Sequence, residues 1–184
     1  MCLMYLTTAR VGELCRGKVS IIDEEEILPN GKHKTLEHHI ESLPSIKKNQ
    51  FVMLNDNFIH IRSLRIIKRH VKSVNDYSVR NEIKLPLKGE LFLFVEPIVN
   101  YLKTLNDDEE LFKFGTKRGF QIVNHITGYM PHYLREMGLK FWLRAYDKNI
   151  STLKDFSGHE RYENLLRYLT ELQTDKNLLE IKLE

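Results

Sequence analysis

His132-Tyr133-Leu134-Arg135, then Ser157-Gly158-His159, then Arg167-Tyr168-Leu169 punctuate the C-terminal part of this 184-residue chain. On a helix, residues three apart share a face, so His132 and Arg135 are expected to project together. Pro131 sits where a helix begins, and Leu134, Met137, Phe141 and Trp142 supply its buried stripe. A short helix is expected over 151–156, stopped by Gly158. A final amphipathic helix over 160–172 carries Leu165, Leu166 and Leu169 on its apolar side. The tail Leu179-Glu180-Ile181-Lys182-Leu183 alternates as a strand would.

Working outward, 116–126 reads as a helix ended by Gly128, and 91–105 as another with Pro97 near its start. The acidic run 106–110 separates the two. Phe51-Val52-Met53-Leu54 and Phe58-Ile59-His60-Ile61-Arg62 have strand character around a turn at 55–57. The stretches 66–74 and 82–87 flank Asn75-Asp76-Tyr77-Ser78 and read as a long basic hairpin, with Lys72 near the inner end of its first strand. Residues 31–42 hold His33, His38 and His39 without a cysteine or a carboxylate set, which favours a polar helix face over a metal site. Val19 to Ile22 and Ile27-Leu28 read as a short strand pair across an acidic turn, followed by the turn signal Pro29-Asn30-Gly31. In 1–16, Leu3, Leu6, Ala9, Val11 and Leu14 recur at helical spacing, and Gly17 ends the helix. The expected fold is α+β in one domain over 1–184, mostly α-helical with a small antiparallel β-sheet.

A hydrophobic share of 42% gives a chain of this length one good core, and 29% charged residues is ordinary for a water-soluble fold. There is no apolar run long enough to span a membrane, and the opening Met1-Cys2-Leu3-Met4-Tyr5-Leu6 lacks the basic leader of a signal peptide. Cys2 and Cys15 are not closely spaced, so neither a zinc site nor a disulfide framework is expected, and a reducing, cytoplasmic setting is. The net charge is only +3. Between Ser45 and Glu90, however, ten basic residues face four acidic ones. A basic middle in a nearly neutral chain fits a polyanionic partner, with Arg62, Arg65, Lys68, Arg69 and Arg80 as candidate contacts to double-stranded DNA.

Cleaving a phosphodiester with a protein hydroxyl requires an in-line nucleophile, cations on the non-bridging oxygens, help with deprotonation and an acid for the leaving oxygen. A guanidinium matches phosphate geometry with paired donors. Tyrosine, with a reference pKa of about 10, needs cationic surroundings or a base to react at neutral pH. Arg10, Arg135 and His159 are candidates for the oxyanion clamp, His132 for orienting phosphate or assisting proton transfer, Lys72 for the leaving-group acid and Tyr168 for the nucleophile. Taken singly, each also reads as ordinary core or surface chemistry: Tyr168 as a core-edge tyrosine, Arg10 as one more surface base. Their ordered occurrence argues against coincidence.

The set resembles the catalytic domain of tyrosine recombinases, the phage-integrase and Xer-type enzymes. Thr7-Thr8-Ala9-Arg10-Val11-Gly12-Glu13-Leu14 is similar to the first-arginine box, His132-Tyr133-Leu134-Arg135 to the His-x-x-Arg box and Ser157-Gly158-His159 to the Gly-His box. Tyr168 lies at the nucleophile spacing beyond them, where Tyr162 is too close. Leu111-Phe112-Lys113-Phe114 followed by a helix also resembles the segment before His-x-x-Arg. The resemblance implies a DNA integrase working through a 3′-phosphotyrosine without metal or other cofactor, with Arg10 and Arg135 clamping the phosphate. It also implies self-assembly as a dimer or tetramer on DNA, and an N-terminal DNA-clamping domain that this chain lacks. Alternatives within reach are an inactive DNA-binding remnant and a supercoil-relaxing activity like that of type IB topoisomerases. Lys68 and Lys84 stand beside Lys72 as candidates for the family's hairpin lysine, and Glu13 matches an acidic residue of architectural role. Two departures are Thr8, where glycine is common, and a long segment from Asp23 to Asn57, closer to archaeal or viral relatives.

Overall fold

The computed structural model describes residues 1–54, 56–66, 70–71, 79–80, 83–145, 149–159, 161–168 and 170. The N-terminal apolar run does not make one helix. Helix α1 (Cys2–Thr7) stops at Thr8, which adopts a left-handed conformation at φ 52°, and a second short helix α2 (Val11–Leu14) starts after Arg10. A β-branched residue is strained in that region of backbone space, which explains why glycine would be the easier choice there. The break leaves Leu3, Leu6, Ala9 and Leu14 in the core as expected. It also frees the Thr8 carbonyl to face the interior.

Strand β1 (Gly17–Ile27) continues through the acidic segment read as a turn, with a break in register between Ile22 and Glu25, and β2 (His33–Leu43) occupies the stretch read as a helix. The two pair antiparallel from Gly17–Leu43 to Ile27–His33, around the Pro29-Asn30-Gly31 turn. The strands are polar on both faces, so neither a period of 2 nor one of 3.6 shows in the sequence. Only the root of this ribbon, at Val19, Ile21 and Leu43, is packed. Beyond it the ribbon projects outward, with strands about 35 Å long at the usual rise per residue.

A 3-10 turn (Lys48–Gln50) leads into β3 (Phe51–Leu54) and β4 (Phe58–Ile61), both as expected. Of the stretches read as one basic hairpin, the described residues pair with other strands. β5 (Leu64–Arg65) pairs with β7 (Val79–Arg80), β6 (His70–Val71) pairs in parallel with β1, and β8 (Ile83–Pro86) pairs with β4. The described strands therefore form three small sheets, ordered β2-β1-β6, β3-β4-β8 and β5-β7. Lys68, Arg69, Lys72 and the tail 179–183 lie outside the described residues.

The helices follow the sequence more closely. They are α3 (Phe92–Lys103), α4 (Thr116–Thr127), α5 (Pro131–Ala145) and α6 (Ile150–Ser157), followed by a helical segment at 163–168. Gly128 and Gly158 end α4 and α6 in left-handed conformations. Pro97 lies inside α3 and not near its start. On α5 the buried face carries Arg135, Gly138, Leu139, Trp142 and Leu143, whereas Met137 is exposed. Leu165 is buried and Leu166 exposed.

Two apolar clusters hold these elements together. One joins α1, the β3-β4-β8 sheet and α3 through Leu6, Ile61, Leu85 and Val95. The other joins α5, α6 and the last helical segment through Leu139, Leu143, Leu153, Leu165 and the ring of Tyr168. The packing of α1 on α5 is intimate. Trp142 Nε1 donates to Leu6 O at 2.7 Å, and a Cβ on Gly138 would stand 2.1 Å from Tyr5 O. Only glycine permits that approach. Among the described residues no helix is long and apolar enough to cross a membrane. The architecture is α+β, with several helices around small sheets that are antiparallel apart from the β1–β6 pair.

Candidate active site

Arg10 caps α2, and the turn folds back on itself. The Arg10 backbone N–H donates to Glu13 Oε2 at 2.8 Å, and its guanidinium Nη1 donates to Glu13 Oε1 at 2.9 Å. Glu13 is 2% exposed, so its charge has little water to lean on. Two further guanidiniums approach it from distant parts of the chain. Arg80 Nη2 of β7 donates to Glu13 Oε2 at 3.1 Å, and Arg135 Nη1 of α5 stands 3.9 Å from the same oxygen. One carboxylate thus faces three cations. The local surplus of positive charge is what an oxyanion site needs.

Arg80 and Arg135 are fixed by backbone acceptors as well. Arg80 Nη1 donates to Thr7 O at 2.6 Å, Thr8 Oγ1 at 3.3 Å and Phe156 O at 3.2 Å. Arg135 Nη1 donates to Thr8 O, and its Nη2 donates to Ser157 O at 3.4 Å and His159 Nε2 at 3.3 Å. The left-handed turn at Thr8 is therefore the docking point for both guanidiniums. Burial pulls Arg80 below the usual arginine range and brings Arg135 to about 10, with the Glu13 charge opposing the shift in each case. Arg135 remains a cation at neutral pH.

His159 follows directly on the end of α6. Gly158, at φ 69°, turns the chain there, and a Cβ at that position would also meet Ile66 Cδ1 at 2.7 Å. The imidazole is gripped at both nitrogens, by Arg135 at Nε2 and by Ser157 Oγ at Nδ1, the latter at 2.6 Å. Burial first, then the charges of Arg135, Arg10, Arg80 and His132, depress its pKa to about 3, so the ring is neutral. His132 is exposed on the first turn of α5. Tyr168 is 3% exposed, its ring packed in the second core cluster and its hydroxyl accepting from Arg167 Nη2 at 3.1 Å.

Arg10, His132, His159 and Tyr168 line one open cavity of about 280 Å³, with Glu163, Asn164 and Arg167 completing its wall. Five of the six sequence-derived catalytic candidates thus converge, Arg135 through its bond to His159. The sixth, Lys72, lies outside the described residues.

The candidate DNA contacts divide differently. Arg62 is exposed. Arg65 donates to the carbonyls of Pro44, Gly12 and Cys15, which ties β5 to α2. Arg80, 4% exposed, faces the interior and belongs to the guanidinium cluster. In sequence it is one base among ten, and nothing in its neighbours distinguishes it. Glu163 and Asn164 were equally unmarked, and Ser157 and Arg167 entered only as neighbours of His159 and Tyr168. Glu13 was legible only through its spacing from Arg10. Compared with protein-family models, with curated proteins and with solved structures, the chain matches none.

Proposed function

We propose that this chain is a DNA strand transferase of the tyrosine recombinase type, with that family's catalytic fold. The single observation that carries the reading is the convergence of Arg10, His132, His159 and Tyr168 on one cavity, with Arg135 bonded to His159 at its edge. These residues come from four segments, the first more than a hundred positions from the others, and each has the chemistry its place requires. Arg10 and Arg135 bind the non-bridging oxygens of a DNA phosphodiester, and His132 orients the phosphate. The Tyr168 hydroxyl passes its proton to His132 as its oxygen attacks phosphorus, the bond to the 5′ oxygen breaks, and a 3′-phosphotyrosine and a free 5′ hydroxyl result. Lys72 supplies the proton to the leaving oxygen. Reversal on another strand completes recombination or integration, on DNA held by several copies of the chain.

The test uses nicked duplexes, whose short cleaved strand diffuses away and traps the intermediate. On a denaturing gel the wild-type chain is expected to give a covalent protein–DNA adduct, and Tyr168→Phe none. An adduct that survives Tyr168→Phe assigns the nucleophile elsewhere. Salt-sensitive binding with no adduct on any duplex overturns the reading in favour of a DNA-binding remnant.

A further inference from the structure

The two hydrogen bonds of His159 fix where its proton sits. A guanidinium has donors only, so the contact from Arg135 Nη2 to His159 Nε2 at 3.3 Å requires a lone pair on Nε2. A neutral imidazole carries one N–H, which must then be on Nδ1 and points at Ser157 Oγ, 2.6 Å away. The Ser157 hydroxyl completes the chain by donating to Lys154 O, at 3.4 Å within the last turn of α6. Ser157 is 2% exposed, so water does not substitute readily for its oxygen. The charged groups around the ring, Arg135, Arg10, Arg80 and His132, all disfavour a second proton on it.

We propose that Ser157 is a positioning residue: it accepts the His159 Nδ1–H and, with Arg135 donating to Nε2, locks the ring in its orientation and its Nδ1–H tautomer. The tautomer is a property of the chain by itself; its use in catalysis rests on the function proposed above. In that reaction His159 stays neutral, and its Nε2 lone pair holds the Arg135 guanidinium at the edge of the cavity that receives the phosphodiester. A serine hydroxyl suits the supporting role because it accepts from Nδ1–H while donating to Lys154 O.

The experiment is long-range ¹H–¹⁵N correlation NMR on the full chain labelled with [¹⁵N]histidine, with His159 assigned by its loss in His159→Gln. The Nδ1–H tautomer is expected in the wild type and in Ser157→Thr, which retains the hydroxyl. Ser157→Ala, which takes the acceptor away from Nδ1–H, is expected to move the His159 Nδ1–H proton signal upfield out of the hydrogen-bonded range and to lower adduct formation on nicked duplex by at least about tenfold, as loss of an orienting group does in a catalytic triad. Ser157→Thr is expected to retain both the signal and the adduct. An Nε2–H tautomer in the wild type overturns the proposal, as does an unchanged Nδ1–H signal in folded Ser157→Ala. Should Ser157→Ala fail to fold, the wild-type Nδ1–H proton still decides it: a signal outside the downfield, hydrogen-bonded range overturns the proposal. A wild-type chain with the expected tautomer and no adduct refutes the recombinase reading and leaves the assignment of Ser157 standing.

Discussion

The interior cluster around Glu13 and the projecting β1–β2 ribbon are built from the same chemistry, carboxylates facing cations, and behave oppositely. In the ribbon the pairs are local and wet: His39 bridges Asp23 at 2.7 Å and Glu41 at 3.2 Å, and His33 meets Glu25 at 3.1 Å. In the interior, Glu13 gathers Arg10, Arg80 and Arg135 from three elements, and only Arg10 keeps substantial contact with water. Solvent screening makes exposed pairs nearly interchangeable with water, whereas a buried charge deprived of its partners has nothing to replace them. Position in the fold, more than the identity of the pair, sets what each contact contributes.

The widest gap between the two regions is expected at Glu13. Replacing it by Gln leaves three guanidiniums without a countercharge and should cost about 3–5 kcal/mol in urea denaturation. Added sulfate should restore more stability to Glu13→Gln than to the wild type, because the anion takes the place of the missing carboxylate. A cost below 1 kcal/mol would erase the contrast. Next comes the scaffold that brings the cations together. Gly138→Ala, which in an ordinary exposed helix would stabilise by up to about 1 kcal/mol, should here cost about 1–3 kcal/mol by overpacking against Tyr5 O. Thermal denaturation reads the sign directly.

The smallest effect belongs to the ribbon. Hydrogen bonds that the His39 ring donates to Asp23, then to Glu41, raise its pKa above the ordinary value. The folded chain therefore prefers protonated His39. The associated stability is fully present below the unfolded value of about 6.5 and fades as pH rises through the raised folded value. Asp23→Asn should move the His39 midpoint downward in an NMR titration while leaving urea denaturation at neutral pH unchanged. A coupled loss of the interior cluster in that variant would show that the two regions are not independent.

The regions also differ in how much of them could be read in advance. Helix limits at Gly128, Pro131 and Gly158 were legible, because those residues have backbone requirements that neighbours cannot override. So were β3 and β4, whose β-branched and aromatic residues bracket a turn. Of the ribbon, the strand start at Val19–Ile22 and the turn at Pro29-Asn30-Gly31 were legible, but the acidic middle of β1 and all of β2 were not, because a two-sided polar strand has no apolar face to impose a period and its pairing is set by the turn and its partner strand. The break at Thr8 escaped because the apolar spacing continues through it. At the site, residue types and spacing pointed to Arg10, His132, Arg135, His159 and Tyr168, while the third guanidinium, Arg80, required knowing which strand it faced.

The grip of α5 on α1 also has a temporal side. Trp142 reaches Leu6 across 136 positions and Arg135 reaches Thr8 across 127. On a ribosome adding about 5–20 residues per second, the N-terminal segment waits roughly ten seconds for these partners to emerge. During that interval Leu3, Met4 and Leu6 lack the α5 surface that buries them. The guanidinium cluster is likewise incomplete until Arg135 arrives. Assembly of the site is then among the last events of folding, and a nascent chain halted before α5 would present an apolar helix to chaperones in place of a finished cationic cavity.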